Sequence, residues 1–587
     1  MLIINRELRS SRISSRMKCG CWTCGACGRS MTGQYKARQC SDRYTHKISV
    51  KTGVGRKHAA KLRQTSCDAL QTATDPLILQ SGFLFTSQTT CISLYCGELS
   101  AFEMKRKNDD TTACTVERVL AQFKSESGEL AGAPFDLPID VSTDKLQLLC
   151  NAFLQKEEKV PYIFFVDGEE IKESLAKTLL SRTAPIVTET ALEIVYAPQA
   201  LFKVQAVTRC TASIPGHAEA VLVAAFSADG RHLVSGSGDT TVRFWDTNTQ
   251  TPHHTCQGHK NWVLCVAWSP NTQKVASGCK NGQIWIWDPV TGKQLGRTMH
   301  GHKEWITCLC WEPLHSNGEC RSLASSGKDG TVRIWDILLG HTRLTLSGHS
   351  RSVTCVKWGG SGLLYTASQD CTIKVWRADD GALCRTLQCH GHWVNVLALN
   401  TDYVMRTGAF DPREGRAQDT LSADAELQQR ATERYRAARG NEPERMVSGS
   451  DDFTLALWLP ESDKKPAARM TGHQQLVNDV RFSPDMRIVA SASFDKSIKL
   501  WDGRHGKFIA ALRGHVQAVY QVSWSADSRL LVSGSADSTL KLWDVSSKKL
   551  AVDLPGHADE VYTVDWSPDG SQVVSGGKDK VLRLWRK

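Results

Sequence analysis

The chain has 587 residues and 41% hydrophobic composition, too long for one ordinary core and ample for several domains or one large closed array. Its formal charge is +11, but residues 1–103 hold fifteen Lys/Arg against six Asp/Glu, which leaves only +2 for the rest. Global charge therefore makes no case for strong nonspecific nucleic-acid binding, and the absence of any apolar run of roughly 18 residues gives no membrane span.

The start "MLIINRELRSSRISSRMK" lacks the apolar centre of a secretory signal, and the cysteines beyond residue 103 mostly fall in apolar strand contexts such as "WVLCVAWS". They read as reduced core residues of a soluble nuclear or cytosolic protein. Residues 1–103 are Arg/Ser-rich without sustained periodicity and are expected to be disordered. Within them "CGCWTCGACG" places Cys21, Cys24 and Cys27 at overlapping C-x2-C spacings, with Cys19 and Cys40 nearby. Zinc wants two well-separated thiolate pairs, so this is a weak zinc candidate and no intrinsic cofactor is expected. Arginines at 6, 9, 12 and 16 give a faint presequence character, whereas Met104 opens "MKRKNDD" as a more natural start, so 1–103 reads as an extension or a gene-model artefact.

Residues 116–200 read as a compact unit. "VERVLAQFKS" and "AGAPFDLPIDV" flank the turn signal "ESGEL" as a hairpin. Ser142 or Thr143 then caps a helix whose Leu146, Leu149, Cys150, Phe153 and Leu154 share one face, which must be covered. "PYIFFVDGEEI" follows as a strand with an Asp-Gly turn, then a short helix in "ESLAKTLL" and the strand "ALEIVYAP". This order resembles the ubiquitin-like β-grasp, with Glu189 in the loop entering the last strand.

Residues 207–587 repeat. Histidines recur at His217, His259, His302, His349, His390, His473, His515 and His557, spaced 41 to 47 residues apart except for one gap of 83. Each unit ends in a tryptophan (Trp245, Trp287, Trp335, Trp376, Trp458, Trp501, Trp543, Trp585). Six residues earlier stands Asp239, Asn281, Asp329, Asp370, Asp452, Asp495, Asp537 or Asp579. Four before that is Ser235, Ser277, Ser325, Thr366, Ser448, Ser491, Ser533 or Ser575. This is the WD40 signature, and eight units predict an eight-bladed β-propeller, mainly β overall. In each unit the Asp is expected to accept from the His, with the hydroxyl and the indole N–H extending the chain so that buried polar groups are paired. Asn281 keeps an acceptor but loses the charge, which predicts a weaker second network, and Cys389 replaces the glycine before His390.

The chain runs only two residues past Trp585, so the last blade lacks its outermost strand, which "FKVQAVTRCTASI" is expected to supply, closing the ring and holding the small domain beside the first and last blades. The long gap contains "DPREGRAQDTLSADAELQQRATERYRAARGNEPER", an insertion at about 403–444, helix-prone from 424 to 438 and read as a solvated excursion in preference to a docking element. A basic residue two before the Trp (Arg243, Arg333, Lys374, Lys499, Lys541, Arg583) is expected to cover the indole with its methylene stem rather than to meet phosphate. A hydroxyl, a histidine and an Asp or Asn recur together eight times at one spacing, which argues for scaffolding and against a catalytic triad. No P-loop, HExxH or dinucleotide fingerprint is present, and the chain reads as no enzyme.

With "AGAPFDLPIDVSTDKLQLLCNA", "YAPQALFKVQAVTRCTASIPGH", "RIVASASFDKSIKLWDG" and "LPGHADEVYTVDWSPDG", residues 116–587 resemble the Notchless family of ribosome-assembly factors, while 1–103 fall outside the likeness. The resemblance implies a monomeric, nuclear and nucleolar factor whose propeller docks on pre-60S ribosomal proteins and rRNA. It implies further that the small domain binds the metal-ion-dependent adhesion site of midasin, the AAA+ ATPase that removes the factor. The family's glutamate ligand to midasin's cation falls on Glu189 in "VTETALEIVY", with Thr188 and Thr190 shaping the loop. A carboxylate filling an open position on Mg²⁺ is sound chemistry. The family's link to Notch signalling would add the Notch intracellular region as a partner. The alternative is a generic WD40 adaptor, in Notch signalling or the ubiquitin system, although a small domain that runs straight into a propeller strand excludes conjugation.

Overall fold

The computed structural model describes residues 118–125, 128–154, 161–166, 169–171, 174–180, 191–198, 202–411 and 424–587. The first strand, β1 (Arg118–Ser125), alternates so that Val119, Ala121 and Phe123 are buried, and it pairs antiparallel with β2 (Leu130–Pro138). Helix α1 (Thr143–Phe153) buries Leu146 and Cys150; Phe153, at its end, is 37% exposed although its ring lies 4.9 Å from that of Phe135. Ser142 occupies the N-cap position without a side-chain cap bond. Strand β3 (Tyr162–Val166) turns back into β4 (Glu169–Glu170), a two-residue strand too short for the sequence pattern to register. Helix α2 (Leu175–Leu180) leads on to β5 (Leu192–Pro198). The sheet order is β2-β1-β5-β3-β4, with β1 and β5 parallel at its centre. Phe123 and Phe164, both buried, stand 5.8 Å apart on the face that α1 covers.

Beyond residue 202 the chain forms eight four-stranded sheets. Their innermost strands are Val221–Phe226, Val263–Trp268, Ile306–Trp311, Val353–Trp358, Val394–Leu399, Val477–Phe482, Val519–Trp524 and Val561–Trp566, and each touches the next. The last touches the first, so the ring is closed. Side chains of inner strands hold the neighbouring backbone: the Phe226 amide donates to Asp565 Oδ2 (2.9 Å), and the Val522 amide to Asp479 Oδ2 (3.2 Å).

The eighth sheet takes its outer strand from β6 (Arg209–Pro215), paired antiparallel with Val581–Arg586. Only the second half of the expected strand serves this role. Val204 and Val207 are buried with Ala526 and Trp566, and the Val204 amide donates to Asp527 Oδ2 (2.8 Å), so the first half is spent packing on the seventh and eighth sheets. The placement of the small domain also differs from expectation. It meets the fifth and sixth repeats, where Asn441 Nδ2 donates to Glu129 Oε1 (3.2 Å) and the Arg487 guanidinium lies 4.2 Å from the Phe165 ring.

Over its described residues the insertion packs on the ring rather than standing off as a solvated excursion. Helix α3 (Asp402–Thr407) follows directly on the fifth inner strand and crosses the mouth of the ring: Arg406 pairs with Asp565, Tyr403 Oη donates to the Pro568 carbonyl (3.2 Å), and Lys357 pairs with Asp402 (2.9 Å). Helix α4 (Asp424–Arg439) has Leu427, Ala431 and Tyr435 on one stripe, at i, i+4 and i+8, and all three are buried. Leu427 and Ala431 pack with Leu314 and Cys320 of the third repeat, so burial of this stripe holds the helix to the ring.

Candidate functional site

Glu189, Thr188 and Thr190 lie outside the described residues, as do Cys21, Cys24 and Cys27. What the structure gives at the first of these is the strand it precedes: β5 is the middle of the small sheet, flanked by β1 and β3. Among the described residues no group of three or more His, Cys, Asp or Glu could hold a metal ion.

Seven repeats share one polar network. His217, His302, His349, His390, His473, His515 and His557 each place Nδ1 2.8–3.1 Å from the carboxylate of Asp239, Asp329, Asp370, Asp452, Asp495, Asp537 or Asp579. On the other side Nε2 lies 2.6–2.8 Å from the hydroxyl of Ser235, Ser325, Thr366, Ser448, Ser491, Ser533 or Ser575. The same hydroxyl accepts the indole N–H of Trp245, Trp335, Trp376, Trp458, Trp501, Trp543 or Trp585 at 2.8–2.9 Å. Burial alone would raise these carboxyl pKa values, but the hydrogen bonds from histidine and the turn residues outweigh it; Asp239, bonded to His217 and Thr241, sits well below the usual carboxylate range. The distances resemble a hydrolase triad. Chemically the hydroxyls are spent, since Ser235 and its counterparts are fully buried and accept from an indole, so none meets a substrate.

The second repeat departs further than its sequence implies. His259 Nε2 still meets Ser277 Oγ (2.7 Å), but Asn281 Oδ1 is taken by Asn261 Nδ2 (2.9 Å), and buried His259 Nδ1 has no partner among the described residues. Burial lowers the His259 pKa to about 4. Packing replaces the lost polarity: Trp285, where Arg243 and Arg333 stand in other repeats, stacks on Trp287 at 5.3 Å and lies 5.5 Å from the His259 ring.

Of the basic residues before the tryptophans, Arg333 holds its guanidinium 6.0 Å from the Trp335 ring, whereas Lys541 pairs with Asp553 (2.9 Å) and Lys499 Nζ donates to the Gly472 carbonyl (2.9 Å). They also explain the Gly-His glycine, because a Cβ on Gly216 would come 2.8 Å from Trp245 and 3.1 Å from Arg243. Cys389 is tolerated in the fifth repeat because Ala456 replaces the long basic side chain, and both pack with Trp458.

One buried polar hub was not legible in the repeat pattern. Glu444, where the insertion returns, is fully buried and accepts from the Gly360 amide (2.9 Å), Thr401 Oγ1 (3.0 Å), Tyr435 Oη (3.0 Å) and Tyr365 Oη (3.4 Å). It ties the fourth repeat to the start of α3 and the end of α4.

Comparison with known proteins fits this layout. The NLE (NUC135) domain family matches residues 119–179, which is most of the small sheet. The WD domain, G-beta repeat family matches seven segments between 208 and 586, passing over the repeat that carries the insertion. Protein Notchless of Drosophila melanogaster is 57% identical over 391 residues, covering 66% of this chain and 80% of that protein. The chain belongs to the Notchless family. Other members are similarly near: Ribosome assembly protein 4 of Saccharomyces cerevisiae is 49% identical over 404 residues, 66% of this chain and 78% of that one. The Notchless protein homolog of Arabidopsis thaliana is 54% identical, covering 67% and 81%. Among solved structures, the computationally designed Ika8 protein overlays with a TM-score of 0.51 at 26% identity, covering 65% of this chain and all of that one. This Notchless-family chain is thus a WD40 β-propeller protein with an NLE domain ahead of its repeats.

Proposed function

We propose that this chain is a non-enzymatic assembly factor of the large (60S) ribosomal subunit, working in the nucleus and nucleolus. The observation that carries the reading is its 49% identity to a protein named Ribosome assembly protein 4, over 78% of that protein, with the NLE domain and WD40 repeats both matched. In this reading the eight sheets are an eight-bladed propeller that docks on pre-60S proteins and rRNA. The small domain is a ubiquitin-like β-grasp; its order β2-β1-β5-β3-β4, with a parallel central pair and one crossing helix, supports that assignment.

The small domain offers Glu189 to the divalent cation held in the adhesion site of midasin, with Thr188 and Thr190 shaping the loop. A hard cation takes a carboxylate oxygen in an open position, so one glutamate three residues ahead of β5 in the sequence is a sufficient handle for a pulling ATPase. The test is a Mg²⁺-dependent pull-down with the midasin adhesion domain, using wild type, Glu189→Ala, Glu157→Ala and Glu158→Ala. Only Glu189→Ala should lose binding; normal binding by that variant, or none by wild type, sinks the contact. Sedimentation of the tagged wild-type chain with 60S precursors tests the assembly role separately.

A further inference from the structure

We infer that the rim of the ring at the second and third repeats binds unpaired RNA, with Trp262 as the stacking wall for one base and Lys280 and Lys328 as phosphate contacts. The inference deepens the assembly-factor reading and rests on it for the source of the RNA. The signature tryptophans are buried inside their sheets, yet Trp262, Trp305 and Trp393 stand just before inner strands, where the repeat does not call for an aromatic and where each is partly exposed. Two of them alternate with lysines. Lys280 Nζ lies 4.6 Å from the Trp262 ring and 5.0 Å from that of Trp305, and Lys328 Nζ lies 4.4 Å from Trp305. The result is an indole–ammonium–indole–ammonium ladder. Contact with the rings restrains the lysines, so part of the entropy cost of meeting a phosphate is already met.

Trp262 also walls a cleft of about 270 Å³. Lys578 and Lys580 line the cleft with Glu219 and Asp559. One aromatic wall, rimmed by the Lys578–Asp559 ion pair (3.2 Å), by Lys580, which donates to the Ala218 carbonyl (2.7 Å), and by Glu219, suits a flat heteroaromatic ring. Along the ladder, Lys260, Lys303 and Arg351 are exposed, and the acid among them is Glu304, 3.2 Å from Lys328. The nearby Asp329 and Asp370 are committed to His302 and His349. A cationic sector and indoles therefore coincide. Single strands combine both contacts, whereas a duplex hides its base faces and an acidic peptide would leave the stacking wall unused.

The test uses the full chain and a fluorescent oligouridylate of about 12 nucleotides. Fluorescence anisotropy is read across a salt series, and crosslinks from a 4-thiouridine version are mapped by mass spectrometry. Trp262→Ala should weaken binding roughly tenfold or more, with Trp262→Phe recovering part of the loss. The double variant Lys280→Ala/Lys328→Ala should flatten the slope of log K against log salt by about 1.4, the share of two single-strand phosphates. Crosslinks should fall beside Trp262 or Lys280, which separates this surface from the basic residues of 1–103. Wild-type affinity and slope in both variants, or crosslinks confined elsewhere, overturn the proposal. So does competition by polyglutamate that is indifferent to Trp262, which would make this a protein-binding face. In each case co-sedimentation with 60S precursors, if retained, leaves the assembly role standing.

Discussion

Arg406 and Asp565 stand 159 residues apart and close a two-pronged ion pair at 2.9 and 2.5 Å across the mouth of the ring. Asp565 also accepts the Phe226 amide, so one carboxylate joins α3 to the first and eighth repeats. Arg406 is 37% exposed on its side chain, and solvent screening discounts the pair accordingly. Arg406→Ala should cost about 1–2 kcal/mol and speed deuterium uptake in residues 402–411 and 424–439. Hydrogen-exchange mass spectrometry reads both segments, and unchanged uptake would mean that α3 is held by packing alone.

Glu444 tests the same insertion from its other end. Burial raises its pKa despite the hydrogen bonds from Gly360, Thr401 and Tyr435, so the folded chain disfavours the carboxylate. The folded value lies above the unfolded one; this group therefore costs stability progressively as pH rises past the unfolded value of about 4.3. Glu444→Gln keeps an acceptor without the charge and should match or exceed wild type in urea midpoint at pH 7. Glu444→Ala strands four donors and should lose about 3 kcal/mol or more. Equal losses in the two variants would contradict the assignment of the cost to charge.

These two anchors show what the sequence hides. The His, Asp and Trp of each repeat are readable because they serve bonds inside one sheet and so return at a fixed spacing. β6 is readable because the last repeat lacks a strand and only one segment can supply it. Arg406, Glu444 and the ladder of Trp262 and Lys280 occur once, join residues distant in sequence, and have no period to betray them. The helix α4 was readable, but its role was not: Leu427, Ala431 and Tyr435 form a thin apolar stripe in a charged segment, and only the surface beneath shows that it is covered. Glu189 is legible only as a sequence position ahead of β5 and lies outside the described residues, so its role stays a proposal from the family likeness.

Acid should unfold the ring through its repeated aspartates. Hydrogen bonds from His217 and Thr241 overcome the burial of Asp239 and depress its pKa, and the other six paired aspartates are depressed in the same way. The unfolded chain therefore takes up protons first. This stabilisation is whole above about pH 4 and is lost as pH falls below it. Asp495→Asn should lower the urea midpoint at pH 7 by the equivalent of about 1–2 kcal/mol and reduce the further loss between pH 4 and pH 3. A variant with the wild-type acid slope would rule out this pair as a contributor.

The second repeat predicts a substitution that should stabilise the ring. His259 is buried and neutral, with its pKa lowered from 6.5 to about 4 by burial, and its Nδ1 lacks a partner among the described residues. Here too the unfolded chain binds the proton more readily, so stability is whole above pH 6.5 and falls between there and about pH 4, by at most about 3 kcal/mol. Asn281→Asp would supply the carboxylate that seven repeats already have, while still accepting from Asn261, which now donates to Asn281. The buried Nδ1–H would gain a charged acceptor, about 1 kcal/mol or more at pH 7, and the imidazolium would gain a counter-ion. The variant should therefore show a higher urea midpoint at pH 7 and a flatter decline from pH 6.5 to pH 4.5. Histidine-ring NMR should place the His259 titration above its wild-type value. A lower midpoint at pH 7 would mean that Trp285, stacked 5.3 Å from Trp287, has closed the space the carboxylate needs.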